Sequence, residues 1–303
     1  MKALLLTVAL LLGCVTVSSQ DKDTGIITVS TNDLSMVFSI SPDKKVVYNY
    51  FGDKFQDVSP FLHKKYKEQP DNGIGYAPVI YPAYGGRFFL NPALKLTHDD
   101  GVQTTELIYA AHQVKNIDNN RIETVIQLKD PLYPVFVNLN FTAYQKENVI
   151  CQSVSISHQE KNKLAVENIA SAYLPLHADS YYLTHFHGAW ASEMQLVEEQ
   201  LTPGVKRVES KKGIRTTQSE NSSFLLSLNG PANEDMGEVY AGSLAWSGNY
   251  LSSFEIDECG LLHVMSGMND FASTYNLEPG KTLQTPEMVW TYSSTGKGQV
   301  SRN

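Results

Sequence analysis

The fold is decided by the stretch Val135-Phe136-Val137-Asn138-Leu139-Asn140-Phe141, in which the odd-numbered positions are all apolar. Successive side chains of a β-strand point to opposite faces, so these four apolar residues share one face. The two asparagines then lie on the other face, as in a strand with one side buried and one side polar. The same alternation recurs in three further stretches, Leu34 to Ile40, Ile122 to Leu128 and Ile150 to Ile156.

Turn residues separate these stretches, and hardly any helical pattern interrupts them. Ser41-Pro42-Asp43 predicts a hairpin between Leu34 to Ile40 and the stretch Val46 to Tyr50. The nearest approach to a helical pattern, Ala191 to Gln200, is short and ambiguous. Without alternating helices, a parallel α/β sheet or a barrel of βα units is not expected. The sequence therefore predicts an all-β fold of large antiparallel sheets packed face to face, in one domain covering residues 20–294.

Composition narrows the range of partners. The chain has 303 residues, 42% of them hydrophobic, which is enough for a large buried core. Its net charge is −8 and its basic residues occur in no run longer than a pair, so nucleic acid is not an expected partner. Tyrosine, with 16 copies, is the commonest aromatic residue and suits both half-exposed strands and sugar surfaces.

The N-terminus predicts export. Met1-Lys2 followed by the apolar run Ala3 to Leu12 is typical of a signal peptide and too short for a membrane span, so residues 1–19 are assigned to it. Cleavage before Gln20 is favoured over an alternative in which Cys14 is lipidated. A secreted or periplasmic location follows, with no transmembrane segment. Cys151 and Cys259 remain in the mature chain; two buried thiols in strands are expected rather than a disulfide framework.

Candidate site residues are few. His185 and His187 lie on one side of a predicted strand, but no third ligand is evident, so strand packing is favoured over a metal site. Trp190 has two open interpretations, a sugar-stacking indole or a core tryptophan at a strand end. Tyr84 lies in an aromatic loop, Tyr81 to Gly86, of the kind that lines sugar sites.

Acidic side chains do not form a catalytic couple in the sequence. They occur in adjacent pairs, and neighbours on a strand point to opposite faces, whereas a glycosidase holds two carboxyl groups across one bond. Each pair is interpreted as a solvated turn: Asp99-Asp100, Glu198-Glu199 and Glu234-Asp235. No catalytic residue, metal or cofactor is predicted.

One stretch is recognisable. Residues 237–250, GEVYAGSLAWSGNY, resemble the signature of the N-terminal domain of glycoside hydrolase family 36 α-galactosidases. The surrounding order also resembles that family: Tyr81 to Gly85, His187 to Trp190 and Glu209 to Gly213. The resemblance implies a β-supersandwich of the galactose mutarotase-like type. It also implies that a (β/α)₈ barrel, which carries two catalytic aspartates, follows the sandwich, so residues 295–303 are expected to begin a linker to a barrel that this chain lacks.

The resemblance also implies a role. The activity would be retaining hydrolysis of terminal α-galactosides by the full-length enzyme, with this domain bracing a homo-oligomer and supplying Tyr84 and Trp190 to the active-site rim. Two departures, Phe88 and Leu90 where the family has an aspartate and an arginine, put direct sugar contacts from the loop in question.

Two alternatives stay open. One is a stand-alone carbohydrate-binding module. The other is an aldose mutarotase-like enzyme that uses His185 or His187 with Glu198.

Overall fold

The fold is described for residues 25–63, 78–85, 88–214 and 219–303, in a computed structural model. These residues form nineteen strands in three sheets, all of whose pairings are antiparallel. The three-stranded sheet consists of β1 (Ile26–Ser30), β2 (Leu34–Ile40) and β3 (Val46–Asp53). The six-stranded sheet consists of β4 (Leu94–Thr97), β9 (Leu164–His177), β12 (Gly204–Ser210), β15 (Tyr250–Ile256), β16 (Leu261–Met268) and β17 (Tyr275–Leu277).

The third sheet has ten strands and spans the molecule. Its members are β5 (Ile108–Asn116), β6 (Arg121–Lys129), β7 (Val135–Tyr144), β8 (Val149–His158), β10 (Tyr181–Ala189), β11 (Ser192–Gln200), β13 (Glu220–Leu228), β14 (Glu238–Leu244), β18 (Thr282–Gln284) and β19 (Met288–Ser293). The spatial order is β11-β10-β13-β14-β19-β8-β7-β6-β5, with β18 paired to β8. The prediction of large antiparallel sheets is confirmed.

Both smaller sheets pack on one face of the ten-stranded sheet. The register places Phe224, Gly242, Trp290 and Ile150 side by side on that face. Phe224 meets Phe254 of the six-stranded sheet edge to face, with ring centroids 4.9 Å apart. The three-stranded sheet packs on the same face: Phe38 of β2 and Phe141 of β7 have centroids 5.5 Å apart, and Phe51 of β3 and Tyr240 of β14 have centroids 5.4 Å apart. Such aromatic pairs add specific contacts to the burial of area, so one continuous core joins the three sheets.

The predicted first hairpin is present. Strands β2 and β3 pair through Ile40 and Val46, and the turn between them is closed by Ser41. The Ser41 hydroxyl accepts a hydrogen bond from the Lys45 backbone N–H at 2.9 Å, and Lys44 adopts a left-handed conformation with φ 63°. A serine side chain that bonds the backbone of its own turn stabilises the reversal locally, which is why this hairpin is readable from sequence.

The ambiguous stretch from Ala191 to Gln200 is an extended strand, β11, and no helix forms there. It forms an antiparallel hairpin with β10, with Thr184 opposite Glu198 and His187 opposite Gln195. Ala191 makes the reversal in a left-handed conformation, with φ 61°. Gly188 of β10 also contributes, because its missing side chain leaves room for the Ser192 carbonyl. Pairing with β10 supplies the backbone hydrogen bonds that a short helix would have made internally.

The expectation of two buried thiols is confirmed for Cys151 and wrong for Cys259. Cys151 is buried in β8, and its burial, with a smaller effect of the Glu287 carboxylate, raises the pKa of the thiol to about 11. Cys259 is exposed in the turn between β15 and β16. The Asp257 carboxylate accepts hydrogen bonds from the backbone N–H groups of Cys259 and Leu261, both at 2.9 Å, and this Asx-type turn carries Cys259 outward.

The C-terminal segment is packed on the large sheet. A short helix, α1 (Lys297–Val300), follows β19, and the Gly298 N–H donates to the Glu234 carbonyl at 3.0 Å. Val300 is buried against Ala232 and Val239. The residues expected to begin a linker therefore lie against the outer face of the ten-stranded sheet.

In the described ranges, no helix has the length and apolarity to cross a bilayer. The assigned signal peptide, Cys14 and the position before Gln20 lie outside the described residues.

Candidate functional site

Tyr84 lies in the aromatic loop that precedes β4. Its backbone is fixed on both sides, since its N–H donates to the Leu94 carbonyl at 2.8 Å and its carbonyl accepts from the Thr105 N–H at 2.9 Å. The ring is 42% exposed and the Lys95 ammonium lies 5.6 Å from its centroid. Gly85, at φ 109°, packs so closely on Thr104 that a side chain has no space there. Tyr84 is thus an exposed ring on a rigidly held loop.

Trp190 stands at the tip of the β10–β11 hairpin. Its side chain is 83% exposed, so the interpretation as a core tryptophan is wrong. Tyr84 adjoins the six-stranded sheet, whereas Trp190 ends the edge hairpin of the ten-stranded sheet. No described contact joins the two rings, so within this chain they are separate surface features.

The two departures from the family pattern occupy the end of the aromatic loop. Phe88 packs edge-on against Tyr173 and His263, with ring centroids 6.4 and 6.1 Å away, and Leu90 is partly buried. Beside them, the backbone N–H and the side-chain amide of Asn91 donate to one Glu255 oxygen, at 3.2 and 2.7 Å. In this chain, therefore, Phe88 docks the loop onto the outer face of the six-stranded sheet.

Beneath that loop runs a buried polar chain that the sequence did not reveal. The Tyr173 hydroxyl lies 2.7 Å from His263 Nδ1, and His263 Nε2 lies 3.0 Å from Asp257 Oδ2. Burial opposes ionisation of Asp257, but the His263 bond and backbone donors outweigh it and hold the pKa of that carboxyl below its usual value. Burial, and then the Asp257 and Glu255 charges, raise the pKa of Tyr173.

The Tyr173–His263–Asp257 chain is closed to substrate. Tyr173 is 1% exposed and His263 is 5% exposed, so neither group is open to a ligand, and the chain supports the sheet and the loop above it. Tyr173 and His263 are 90 residues apart in sequence, on the neighbouring strands β9 and β16, and Asp257 lies in the turn that precedes β16. Only the strand pairing brings Tyr173 to His263, and no local motif signals that contact.

The two histidines of β10 do not converge on one ligand. A register irregularity separates them, and each has its own partner: His185 Nε2 lies 3.2 Å from Glu199, and His187 Nδ1 lies 2.7 Å from Glu220. Throughout the described part of the chain, no three His, Cys, Asp or Glu side chains cluster as metal ligands do. Glu198, which the mutarotase alternative paired with these histidines, instead bonds Thr184 and Lys297.

Two carboxylate pairs are solvated turns as predicted, and one is not. Asp99-Asp100 and Glu234-Asp235 are exposed outside the strands, but Glu198-Glu199 lies within β11. The Lys297 ammonium outweighs partial burial and lowers the pKa of Glu198, and the Lys206 ammonium does the same for Glu199. These acids are therefore held ionised by separate lysines, an arrangement that does not suit a shared acid–base couple.

Comparison with known proteins identifies the fold and the family together. Residues 44–278 match the family model of the glycosyl hydrolase family 36 N-terminal domain. The chain belongs to this family. The sheet architecture agrees with that of the crystal structure of GH36 alpha-galactosidase AgaA from Geobacillus stearothermophilus, at a TM-score of 0.81 and 28% identity, over 89% of this chain and 41% of that one. The predicted family resemblance and sandwich are confirmed.

The relatives are much longer than this chain. Alpha-galactosidase AgaA of Geobacillus stearothermophilus is 30% identical over 292 residues, which cover 88% of this chain but 40% of that protein. Alpha-galactosidase Mel36A of Lactobacillus acidophilus is 26% identical over 74% of this chain and 32% of its own length. The galactosidase domain of AgaSK shares the fold, with a TM-score of 0.83 at 22% identity. This family 36 chain therefore spans about two fifths or less of these relatives.

Proposed function

We propose that this family 36 chain is the N-terminal β-sandwich domain of an α-galactosidase, and that it braces and borders an active site whose catalytic groups belong to another part of the enzyme. The observation that carries the proposal is the match over residues 44–278 to an N-terminal domain family, combined with the 40% share of AgaA that the chain covers. The proposed substrate class is terminal α-galactosides, because the relatives are alpha-galactosidases.

The geometry of the acidic residues supports the proposal that the catalytic groups belong to another part of the enzyme. Retaining glycosidases hold two carboxyl groups roughly 5 Å apart around the scissile bond. Here Glu198 is bound to Lys297 and Glu199 to Lys206, while Asp257 is bound to His263 and Glu255 to Asn91. Carboxylates that are ion-paired or hydrogen-bonded to side chains of the same chain are poorly placed to act as a nucleophile or as a proton donor.

The first test is hydrolysis by the chain alone. We expect the purified chain to release no nitrophenol from p-nitrophenyl α-galactoside above the uncatalysed rate, because on this proposal the nucleophile for covalent transfer belongs to another part of the enzyme. A family 36 enzyme that includes the barrel serves as the positive control in the same assay. Turnover that persists in the folded chain through further purification, and disappears when the chain is unfolded, would overturn the proposal.

The second test concerns the rim. In the enzyme that joins this chain to its catalytic domain, we expect Trp190→Ala to raise KM about fivefold, because an indole face stacked on a sugar contributes about 1 kcal/mol. Trp246→Ala is the matched control, since Trp246 is 42% exposed and its indole N–H is already bonded to the Asn249 carbonyl at 3.1 Å. Equal kinetics for Trp190→Ala and the unaltered enzyme would remove Trp190 from the rim.

A further inference from the structure

A cleft lies on the outer face of the six-stranded sheet, beside the aromatic loop. Its volume is about 150 Å³ and its floor is formed by β9, β15 and β16. Two cross-strand rows make the floor, and both are read directly from the register. One contains Ser253 and Met265, with Arg207 of β12 at its end as part of the wall, and the next contains Leu251, Gly267 and Ala170.

The depression has a specific cause. The pairing of β16 with β9 shifts between Ser266 and Gly267, and the two backbones approach so closely that a Cβ on Gly267 would lie 2.8 Å from Ala170 Cα. Glycine is therefore required at this position, and alanine opposite it adds only a methyl group. The sheet surface thus lacks side-chain volume at this point, and the residues around it form walls.

The walls present hydrogen-bond acceptors on one side. The side-chain amide of Asn168 donates to the Pro92 carbonyl at 2.7 Å, and that of Asn91 donates to Glu255 at 2.7 Å. One hydrogen bond thus fixes the orientation of each amide, and among the described residues none donates to either side-chain carbonyl oxygen. Both asparagines line the cleft, so these oxygens are two of the acceptors that it offers.

The charges of the walls are balanced. Lys95 is paired with Glu167 at 2.7 Å, and the opposite wall carries one cation, Arg207, and one anion, Asp270. Neither the Arg207 guanidinium nor the Asp270 carboxylate has a hydrogen-bonded partner among the described residues. A phosphate or carboxylate would gain from Arg207 but would be repelled by Asp270, whereas a hydroxyl group accepts a hydrogen bond from Arg207 and donates one to Asp270.

We propose that this cleft binds a single neutral pyranose unit. Its volume is below the ~300–1,000 Å³ of pockets for drug-sized ligands and suits one ring. The sugar hydroxyls bond Arg207, Asp270 and the asparagine oxygens, and the C–H face packs on the apolar floor of Leu251 and Met265. The site is distinct from Trp190, and because binding by the chain alone needs no catalysis, it stands independently of the proposed function.

The test is titration calorimetry on the purified chain with methyl α-D-galactopyranoside. We expect saturable binding with a dissociation constant on the order of 1 mM, given the modest contribution per atom of small ligands. Arg207→Ala and Asp270→Asn should each weaken binding by roughly tenfold or more, because each removes charge-assisted hydrogen bonds. Both residues are exposed, so the variants should keep the far-UV spectrum and unfolding midpoint of the unaltered chain.

Matched controls locate the site. Arg121→Ala removes an exposed arginine of β6 on the other sheet, and Trp246→Ala removes an exposed indole that does not line the cleft; neither should change the affinity. Galacturonate and inorganic phosphate serve as acidic probes and should bind more weakly than the neutral sugar. The inference is overturned by an absence of saturable binding, by affinity that is unchanged in both cleft variants or lost in either control variant, or by tighter binding of either acidic probe.

Discussion

Replacing Trp290 with alanine should lower the free energy of unfolding by about 3–5 kcal/mol, the range for removing a fully buried tryptophan from a core. Trp290 is 1% exposed and lies between Gly242 and Ile150 in the centre of the ten-stranded sheet. Its ring meets Phe224 edge to face, with centroids 5.9 Å apart, at the place where Phe224 contacts the six-stranded sheet. The deletion therefore opens a cavity at the junction of two sheets.

The indole N–H adds a polar contribution. It donates to the Gln152 side-chain oxygen at 3.3 Å, and Gln152 is itself buried, so the alanine variant also leaves a buried amide oxygen without its partner. Trp290→Phe keeps most of the volume and should cost distinctly less. Urea unfolding followed by far-UV circular dichroism measures all variants, because that signal does not depend on the tryptophan being removed.

The matched control for this experiment is Trp190→Ala, the same substitution at an 83% exposed position. It should change the free energy of unfolding by no more than about 0.5 kcal/mol. Comparable losses in Trp290→Ala and Trp190→Ala would contradict the placement of the core.

Replacing Glu160 with alanine is the second change with a large expected effect. Glu160 and His98 are both almost fully buried, and Glu160 Oε1 lies 2.7 Å from His98 Nδ1. The other carboxylate oxygen accepts from the Asp99 N–H at 2.9 Å. His98 is further held by Thr105, 3.1 Å from its Nε2, and its ring stacks on Tyr133 with centroids 3.7 Å apart.

Removal of the carboxylate leaves the buried His98 ring nitrogen and the partly buried Asp99 N–H without this partner. Each unsatisfied buried group costs about 1–3 kcal/mol, so Glu160→Ala should lower the free energy of unfolding by about 2–5 kcal/mol. Glu160→Gln retains the shape and some of the hydrogen bonds and should fall between the alanine variant and the unaltered chain. Thermal and urea unfolding of the three chains provide the measurement.

The control for Glu160 is Glu278, which forms an ion pair of similar length with Lys163, at 2.8 Å, but with both side chains more than half exposed. Exposed ion pairs contribute about 0–1 kcal/mol, so Glu278→Ala should have little effect. If the two alanine variants lose the same stability, the buried network does not hold the β4 end of the sheet as the contacts indicate.

Much of the fold is predictable because it rests on local rules. Alternation from Val135 to Phe141 identifies β7 and its buried face. The turn residues that follow Ile40 identify the first hairpin, because the Ser41 side chain bonds the backbone of its own turn. The β11 strand was not predictable from its own residues, because Glu193 to Glu199 is exposed on nearly every side and its structure depends on pairing with β10. Cys259 was misplaced because a turn governed by Asp257, rather than strand alternation, determines its exposure.

The candidate site divides in the same way. Tyr84 and Trp190 could be identified from the sequence, because an aromatic residue close to glycine in the chain is typical of a surface loop. The structure leaves both rings exposed. The role of Phe88 was not visible, because its partners Tyr173 and His263 come from strands far along the chain. The cleft was equally invisible, since its floor is set by the register shift at Gly267.

Three features can be read from the amino-acid sequence: its strand-rich composition, the alternation that assigns the buried faces, and the signature from Gly237 to Tyr250 that indicates the family. Which strands are neighbours depends on the folded chain, and with it the contact of Tyr173 with His263 and the row of Arg207, Ser253 and Met265. The physical reason is the range of the interactions. Alternation and turns depend on residues a few positions apart, whereas a polar chain or a cleft depends on pairing between strands that the burial of a common core brings together.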